Sequence, residues 1–440
     1  MSRALPTQIP VLSVLGNLPR ARAADRLSAQ RVAQVQSRLL RRLVRHAYAR
    51  VPYYRDSWDP AAVAAITGPA DLAGLPALDR ATVNAVGPAG LLADGHTVAT
   101  TRAARTSGSS GMPVTLHYSE RELGYLRASY LWDLLACGLR PYDRIGYFRV
   151  SGFRRHRLER LGLARNVHVD TSRTLDEQVE MFLAGRPTFL RGFPNAIASL
   201  VGELKRCGIT HHGVRAVVFG GESLADAARA EVLEYFGATG HEVYASVEAH
   251  TIARSCPHGS LHLRSTDVLV EVEHDDGTVS VADGAGEILV TRLRSDAMPL
   301  VRYRLGDRVV IAPNDCPCGV RQTPVVRAVQ GRVEDRIRTR DGRFRSGDFF
   351  ASLLREVTGI RQFQFVQRDP GAVQVLIVPA LGEPGPELAR RARSALADAG
   401  ADFEVSVRLV DRITPEANGK IRLVRAIRSV TDRPPPAGPA

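Results

Sequence analysis

Residues 215–244 read RAVVFGGESLADAARAEVLEYFGATGHEVY, and this stretch decides the architecture. Arg215-Ala216-Val217-Val218-Phe219 and His241-Glu242-Val243-Tyr244 are short apolar runs bounded by turn residues, with helical spacing from Leu224 to Tyr235 between them. Strand, helix and strand in that order make a βαβ-like unit, whose helix covers a face of the sheet. Outward from it, strands and helices alternate from 106 to 330, so the fold class is α/β. From Asp267 to Ile311 the pattern changes to several strands with turns at Asp276-Gly277 and Asp283-Gly284, an antiparallel meander. Upstream, Leu27, Val32, Val35, Leu39, Leu43, Val44 and Ala47 recur at helical spacing, which predicts an amphipathic helix over 25–50 that ends before Pro52. Short helices and Gly/Pro turns follow over 56–105. Gly331 opens a second segment: a hairpin over 362–366 and 372–378, a helix over 387–399 and a strand over 404–410 make a small α+β domain, 331–432. The proline-rich tail 433–440 has nothing to bury and is expected to be disordered.

Charge and composition narrow the function. The net charge is +13, but the basic residues are spread along the chain, so a nucleic-acid partner is not expected. No stretch approaches the roughly 20 apolar residues of a membrane span, and no signal-like segment opens the chain, so the expected location is cytoplasmic. Five cysteines in 440 residues do not make a disulfide framework. Only Lys205 and Lys420 are lysine, which leaves 57 of the 59 basic residues as arginine. Where either cation serves, this chain uses arginine, so a surviving lysine calls for a reason. A compact ammonium on a flexible stem does what a planar guanidinium does not. Lys205, beside Arg206 on a helix face, reads as a surface residue.

Two clusters carry chemistry. Thr106-Ser107-Gly108-Ser109-Ser110-Gly111-Met112-Pro113 is dense in hydroxyls and glycines. It reads either as a flexible linker or as a loop whose amides and hydroxyls wrap phosphate oxygens, without the lysine of the common P-loop. Cys256-Pro257-His258-Gly259-Ser260-Leu261-His262 and Cys316-Pro317-Cys318-Gly319 offer thiolates and imidazoles enough for a tetrahedral zinc. Their spacing, C-x5-H followed by C-x-C, is not that of a standard finger, and either His258 or His262 completes the set.

Taken in order along the chain, these motifs resemble the adenylate-forming acid ligases, and within them the phenylacetate–coenzyme A ligase-like branch with its capsule-cluster and coenzyme F390 synthetase-type relatives. His46-Ala47 with Val51-Pro52-Tyr53-Tyr54-Arg55 resembles the N-terminal signature of that branch, and the loop from Thr106 to Pro113 its phosphate-binding motif. Gly220-Gly221-Glu222 resembles the adenine-side loop, and Tyr244-Ala245-Ser246-Val247-Glu248 the aromatic-to-glutamate motif. Tyr303-Arg304-Leu305-Gly306-Asp307 resembles the ribose motif, and Gly331-Arg332-Val333-Glu334-Asp335 the hinge. Pro415-Glu416-Ala417-Asn418-Gly419-Lys420 resembles the C-terminal lysine motif.

The resemblance implies a large multi-layer α/β adenylation domain over 1–330, which binds ATP and acid, and a small mobile α+β lid that swings about Glu334. It implies that a carboxylate attacks the α-phosphorus of ATP, giving an acyl-adenylate and pyrophosphate, and that the acyl group then passes to coenzyme A. An amine or a carrier-protein thiol stays open as the acceptor. Glu248 would hold Mg²⁺, Asp307 and Arg332 would meet the ribose, and Lys420 would bring its ammonium to the carboxylate and α-phosphate. Relatives carry a structural zinc, which favours Cys256, His262, Cys316 and Cys318 as ligands. The expected partners are a small-molecule carboxylic acid and an acceptor thiol or amine, with no membrane and a homodimer as the candidate assembly. Pocket residues are expected from Phe148 to Phe153, Arg191 to Pro194 and Ala245 to His250, and the phenylalanines lean towards an aryl or arylalkyl acid or simply pack. Ala245 and Val247 replace the usual glycine and hydroxyl residue, and His250 either lines the pocket or packs.

Overall fold

The computed structural model describes residues 11–106, 113–150, 159, 162–210, 213–222, 224, 226–319, 323–332, 336–342, 344–355, 357–380, 382–397, 403–416 and 421–425. The chain divides into two compact units, one of residues 1–223 with 233–330, the other of 224–232 with 331–440.

In the first unit the helices are α1 (Val11–Ala24), α2 (Ala29–Arg50), α3 (Pro52–Ser57), α4 (Pro60–Ala65), α5 (Arg80–Leu91), α6 (Glu120–Ala136), α7 (Leu175–Gly185) and α8 (Pro194–Arg206). Helix α9 (Asp226–Phe236) runs across the division. A two-stranded hairpin, β1 (Arg102–Arg105) with β2 (Thr115–Tyr118), stands apart from the main sheet. The main sheet takes β3 (Arg144–Arg149), β4 (Arg165–Asp170), β5 (Phe189–Gly192), β6 (Ala216–Gly220), β7 (Thr239–Ser246), β8 (His250–Ser255) and β9 (Leu261–Leu263). It continues with β10 (Val268–Glu273), β11 (Val279–Val281), β12 (Gly284–Arg292), β13 (Tyr303–Ala312) and β14 (Val325–Arg332). Their order is β11-β10-β12-β13-β14-β9-β8-β7-β6-β5-β3-β4. The half from β4 to β7 is parallel, as crossover helices require. At the β7–β8 hairpin the pairing turns antiparallel, and the meander follows from there.

The expected helix over 25–50 begins later, at Ala29, because the Ser28 hydroxyl accepts from the Arg31 amide and caps it. Its apolar stripe of Val32, Leu39, Leu40, Leu43, Val44 and Ala47 is buried. Pro52 both ends this helix and opens the next, since its fixed φ and missing N–H suit a first helical position. Helix α6 starts at a reciprocal cap: Ser119 accepts from the Glu122 amide while Glu122 accepts from that of Ser119. Beyond its first turn, α6 covers Ile145, Phe189, Val218 and Val243, the inner row of the parallel strands.

The second unit holds β15 (Arg336–Arg338) paired with β16 (Phe344–Ser346), then α10 (Gly347–Arg355), β17 (Ile360–Asp369), β18 (Ala372–Pro379), α11 (Gly385–Ala397), β19 (Glu404–Leu409) and β20 (Val424–Arg425). Strands β17 and β18 form the expected hairpin, and β19 and β20 add in parallel on its two edges. Ile337, Phe350, Phe365, Val375 and Leu388 fill its core. Among the described residues no helix is long and apolar enough to cross a membrane.

Candidate active site

The β7–β8 hairpin carries the site. Ser246 and His250 are paired across it, so Val247, Glu248 and Ala249 form its tip at the carboxyl end of the last parallel strand. Ligands gather at such ends in α/β sheets. The tip is tied down by its backbone. The Ser246 hydroxyl accepts from the Ala249 amide at 2.9 Å, the Val247 carbonyl accepts from the Tyr118 hydroxyl at 2.7 Å, and the Glu248 carbonyl accepts from Arg292 at 3.4 Å. Arg292 also stacks 4.5 Å from the Tyr118 ring centroid. It donates to Ser295 at 2.7 Å and to the Met298 carbonyl at 3.1 Å, and it lies 3.6 Å from Glu122. The Glu248 side chain is 4% exposed, and the Arg80 guanidinium stands 4.0 Å from its Oε1. Val247 turns its side chain outward and contributes its carbonyl, so the missing hydroxyl leaves the hairpin tip intact.

His250 closes the tip at φ +60°, with its ring edge-on to Tyr118 at 5.2 Å. Burial and the nearby Arg292 bring its pKa down to about 3, so the imidazole is neutral. Its Nε2 is buried and makes no hydrogen bond. Of the two readings of His250, lining and packing, both have a basis here: it stacks on Tyr118 and borders a small cavity with Leu126, Ser129, Asp267, Arg292 and Arg294.

The residues expected at the nucleotide lie on or beside β6, β7 and β13. Tyr244 donates to Asp307 Oδ2 at 2.8 Å, a link between β7 and β13 that orients a carboxylate only 7% exposed. Gly220 ends β6, where a Cβ would lie 3.0 Å from the Val243 carbonyl oxygen, and Gly221 sits at φ +86°, which glycine adopts without strain. Glu222 accepts from Asn195 at 3.0 Å. Thr106 and Val114 close the base of the hydroxyl-rich loop by two hydrogen bonds of 2.9 Å each. Ser107, Gly108, Ser109, Ser110 and Gly111 lie outside the described residues, as do Glu334 and Lys420, and so does the side chain of Arg332.

A second cluster joins the β8–β9 turn and β9 itself to the connection between β13 and β14. The ligand atoms of Cys256, His262, Cys316 and Cys318 all fall within 4.8 Å of one another. Cys256 Sγ is 3.5 Å from Cys316 Sγ, and Cys318 Sγ is 3.5 Å from His262 Nε2. Ligands at about 2.0–2.3 Å on tetrahedral directions stand at such separations, so the donor set and its spacing fit zinc. His262 is fully buried and its Nδ1 lies 3.4 Å from the Thr323 carbonyl, the second contact that fixes a ligating imidazole. His262 is in this cluster and His258 is not. Burial pushes the Cys256 thiol up to about 11. It opposes ionisation of Cys316 too, but hydrogen bonds from Ser260, the Cys318 backbone and His262 bring that thiol down to about 6.

Residues 337–426 match the family model of the CapK C-terminal domain. The chain is 28% identical over 369 residues to the phenylacetate-coenzyme A ligase of Thermus thermophilus, a match that covers 79% of this chain and 81% of that one. It is 28% identical over 312 residues to that of Escherichia coli, covering 65% of this chain and 68% of the relative. Among solved structures, 2-hydroxyisobutyryl-CoA ligase in the postadenylation state superposes with a TM-score of 0.77 at 16% identity, covering 94% of this chain and 92% of that one, which is a likeness of fold. The chain is thus similar in sequence to phenylacetate-coenzyme A ligases over most of its length, and in its last part to the CapK C-terminal domain. In this ligase-like chain the large α/β sheet and the smaller α+β unit are the architecture the motifs implied.

Sequence reading alone missed three residues. Arg80, Tyr118 and Arg292 brace or face the glutamate tip from α5, β2 and β12, and no motif flags them. Phe148, expected near the acid, is 1% exposed and packs where a Cβ on Gly192 would stand, so it belongs to the core of this ligase-like sheet.

Proposed function

We propose that this chain activates a carboxylic acid of the aryl or arylalkyl class with ATP and passes the acyl group to coenzyme A. The observation that carries the reading is the braced tip at Glu248, a shielded carboxylate at the carboxyl end of β7, the strand whose Tyr244 also orients Asp307 of β13. Kinship with phenylacetate-coenzyme A ligases supports the acid class and the acceptor.

The acid's carboxylate oxygen attacks the α-phosphorus, the bond to the bridging oxygen breaks, and pyrophosphate leaves. The thiol of coenzyme A then attacks the acyl carbon and AMP departs. Charge builds on phosphate oxygens in the first step, so the chain's task is electrostatic. Glu248 is the ligand for Mg²⁺, which when bound neutralises phosphate charge, and a hard carboxylate oxygen suits it. Arg80, 4.0 Å from that carboxylate, adds a cation for the phosphates. Asp307, oriented by Tyr244, accepts from the ribose hydroxyls. Gly220 and Gly221 leave room for the base, while Thr106 anchors the loop that donates to the phosphates. Lys420 supplies the ammonium for the acid's carboxylate and the α-phosphate. Cys256, His262, Cys316 and Cys318 hold a structural zinc, since four protein ligands leave no position for a substrate.

The test is pyrophosphate release from ATP with a panel of aryl and arylalkyl acids, with and without coenzyme A. Acid-dependent release, with an acyl-CoA formed once the thiol is added, is expected. ATP consumption independent of any acid would contradict the reading.

A further inference from the structure

Arg191 lacks the partner that the buried arginines of this chain have. Arg254, Arg264, Arg292 and Arg302 each pair with an aspartate or glutamate. Arg191, partly buried in β5, donates a hydrogen bond to the Tyr147 hydroxyl and has Tyr130 and Tyr147 as its electrostatic neighbours, with no carboxylate partner among the described residues. Its guanidinium lies 4.1 Å from the ring centroid of Tyr147, its register partner on β3, and 4.6 Å from that of Tyr130 on α6. Arg149, at the end of β3, brings a second guanidinium to 5.1 Å from the Tyr147 ring. Burial works against ionisation of Tyr147, yet Arg191 and Arg149 hold its phenol below the ordinary value, the mark of a positive potential. The two rings and the Tyr147 hydroxyl favour the charged guanidinium. A planar fork held in this way, with a second guanidinium nearby, has the chemistry to receive an anion.

The place fits the reaction. Arg191 pairs in register with Val218, two residues before Gly220 at the end of β6. The same carboxyl end of the parallel strands carries the Glu248 tip, after β7. Resting on the acid-activation reading, we propose that the acid carries a second anionic group, a carboxylate or phosphonate distant from the reacting carboxylate, which Arg191 binds as a fork with Arg149 beside it. The two tyrosine rings hold the guanidinium plane, so little orientation is lost when two oxygens dock.

Matched acids test this: phenylacetate and 4-methylphenylacetate against 4-carboxyphenylacetate and 4-phosphonophenylacetate, and hexanoate against adipate. Calorimetric binding in the presence of AMP reads the subsite, and pyrophosphate release reads the reaction. The doubly charged members should be preferred by about tenfold or more, the scale of a charge-assisted bond. Arg191→Gln should collapse that ratio through KM rather than kcat. Equal or better use of the uncharged members by the wild type, or a ratio that survives Arg191→Gln, overturns the proposal. If Arg191→Gln does not fold, the wild-type ratio and Arg149→Gln decide in the same way. Binding that depends on Arg191 with no pyrophosphate from any acid would leave the subsite standing and remove the activation reading. Turnover without preference for a second charge would do the reverse.

Discussion

Glu248 is positioned by groups that touch its backbone rather than its carboxylate. Tyr118 and Arg292 grip the carbonyls of Val247 and Glu248, and Arg80 is the charged group that faces the side chain. Glu248→Gln keeps the shape and removes the charge, so the hairpin tip should stay folded. The Mg²⁺ requirement should rise and pyrophosphate release should slow by about 10²–10³, the scale of one preorganised electrostatic group. A Mg²⁺ titration of initial rates checks it, and an unchanged requirement would remove Glu248 from the metal site. The sequence singled out the glutamate through its motif and Lys420 through the scarcity of lysine. It did not single out the braces. Positions 80, 118 and 292 meet only after the sheet has formed, and an arginine in an arginine-rich chain carries no signal by itself.

Two elements are stapled by means other than apolar packing. The connection between β13 and β14, 313–324, is proline-rich and polar and has little to bury, and the proposed zinc would tie it through Cys316 and Cys318 to Cys256 and His262. Elemental analysis should find one zinc for each chain, and Cys316→Ser should lose it and lower thermal stability more than it slows adenylation. Metal-free protein with an unchanged melting point would contradict this. At the other staple, Asp133 of α6 is fully buried between Arg254 at 3.4 Å and Arg264 at 3.6 Å. Asp25, after α1, also pairs with both arginines and accepts from Trp132 at 2.6 Å. Asp133→Ala leaves two buried guanidiniums short of a counter-charge, and denaturant unfolding should show a loss of about 3–5 kcal/mol. A cost near zero would mean that Asp25 alone suffices. Helix and strand identities here followed from spacing, and Pro52 marked the end of α2, while the Ser28 cap that sets its start went unread. Strand β20 did not follow from spacing, because two residues added in parallel to β17 leave no periodicity to read.

At the scale of the molecule, one sheet carries parallel strands with their crossover helices on one side and an antiparallel meander on the other, and Glu248 sits where the two meet. The βαβ unit over 215–244 was enough to predict the parallel half. The joining of β9 to β14 was beyond local pattern, because strands more than sixty residues apart pair through two contacts. The central claim is that this chain makes an acyl-adenylate before any thiol is involved, with Lys420 as the cation of that step. The direct measurement is acid-dependent exchange of labelled pyrophosphate into ATP without coenzyme A, for the wild type, Lys420→Ala and Lys420→Arg. The account predicts exchange in the wild type that falls by at least about 10²–10³ in both variants, since arginine would already occupy the position in this chain if it served. Absence of acid-dependent exchange in the wild type, or wild-type exchange in Lys420→Arg, would contradict it.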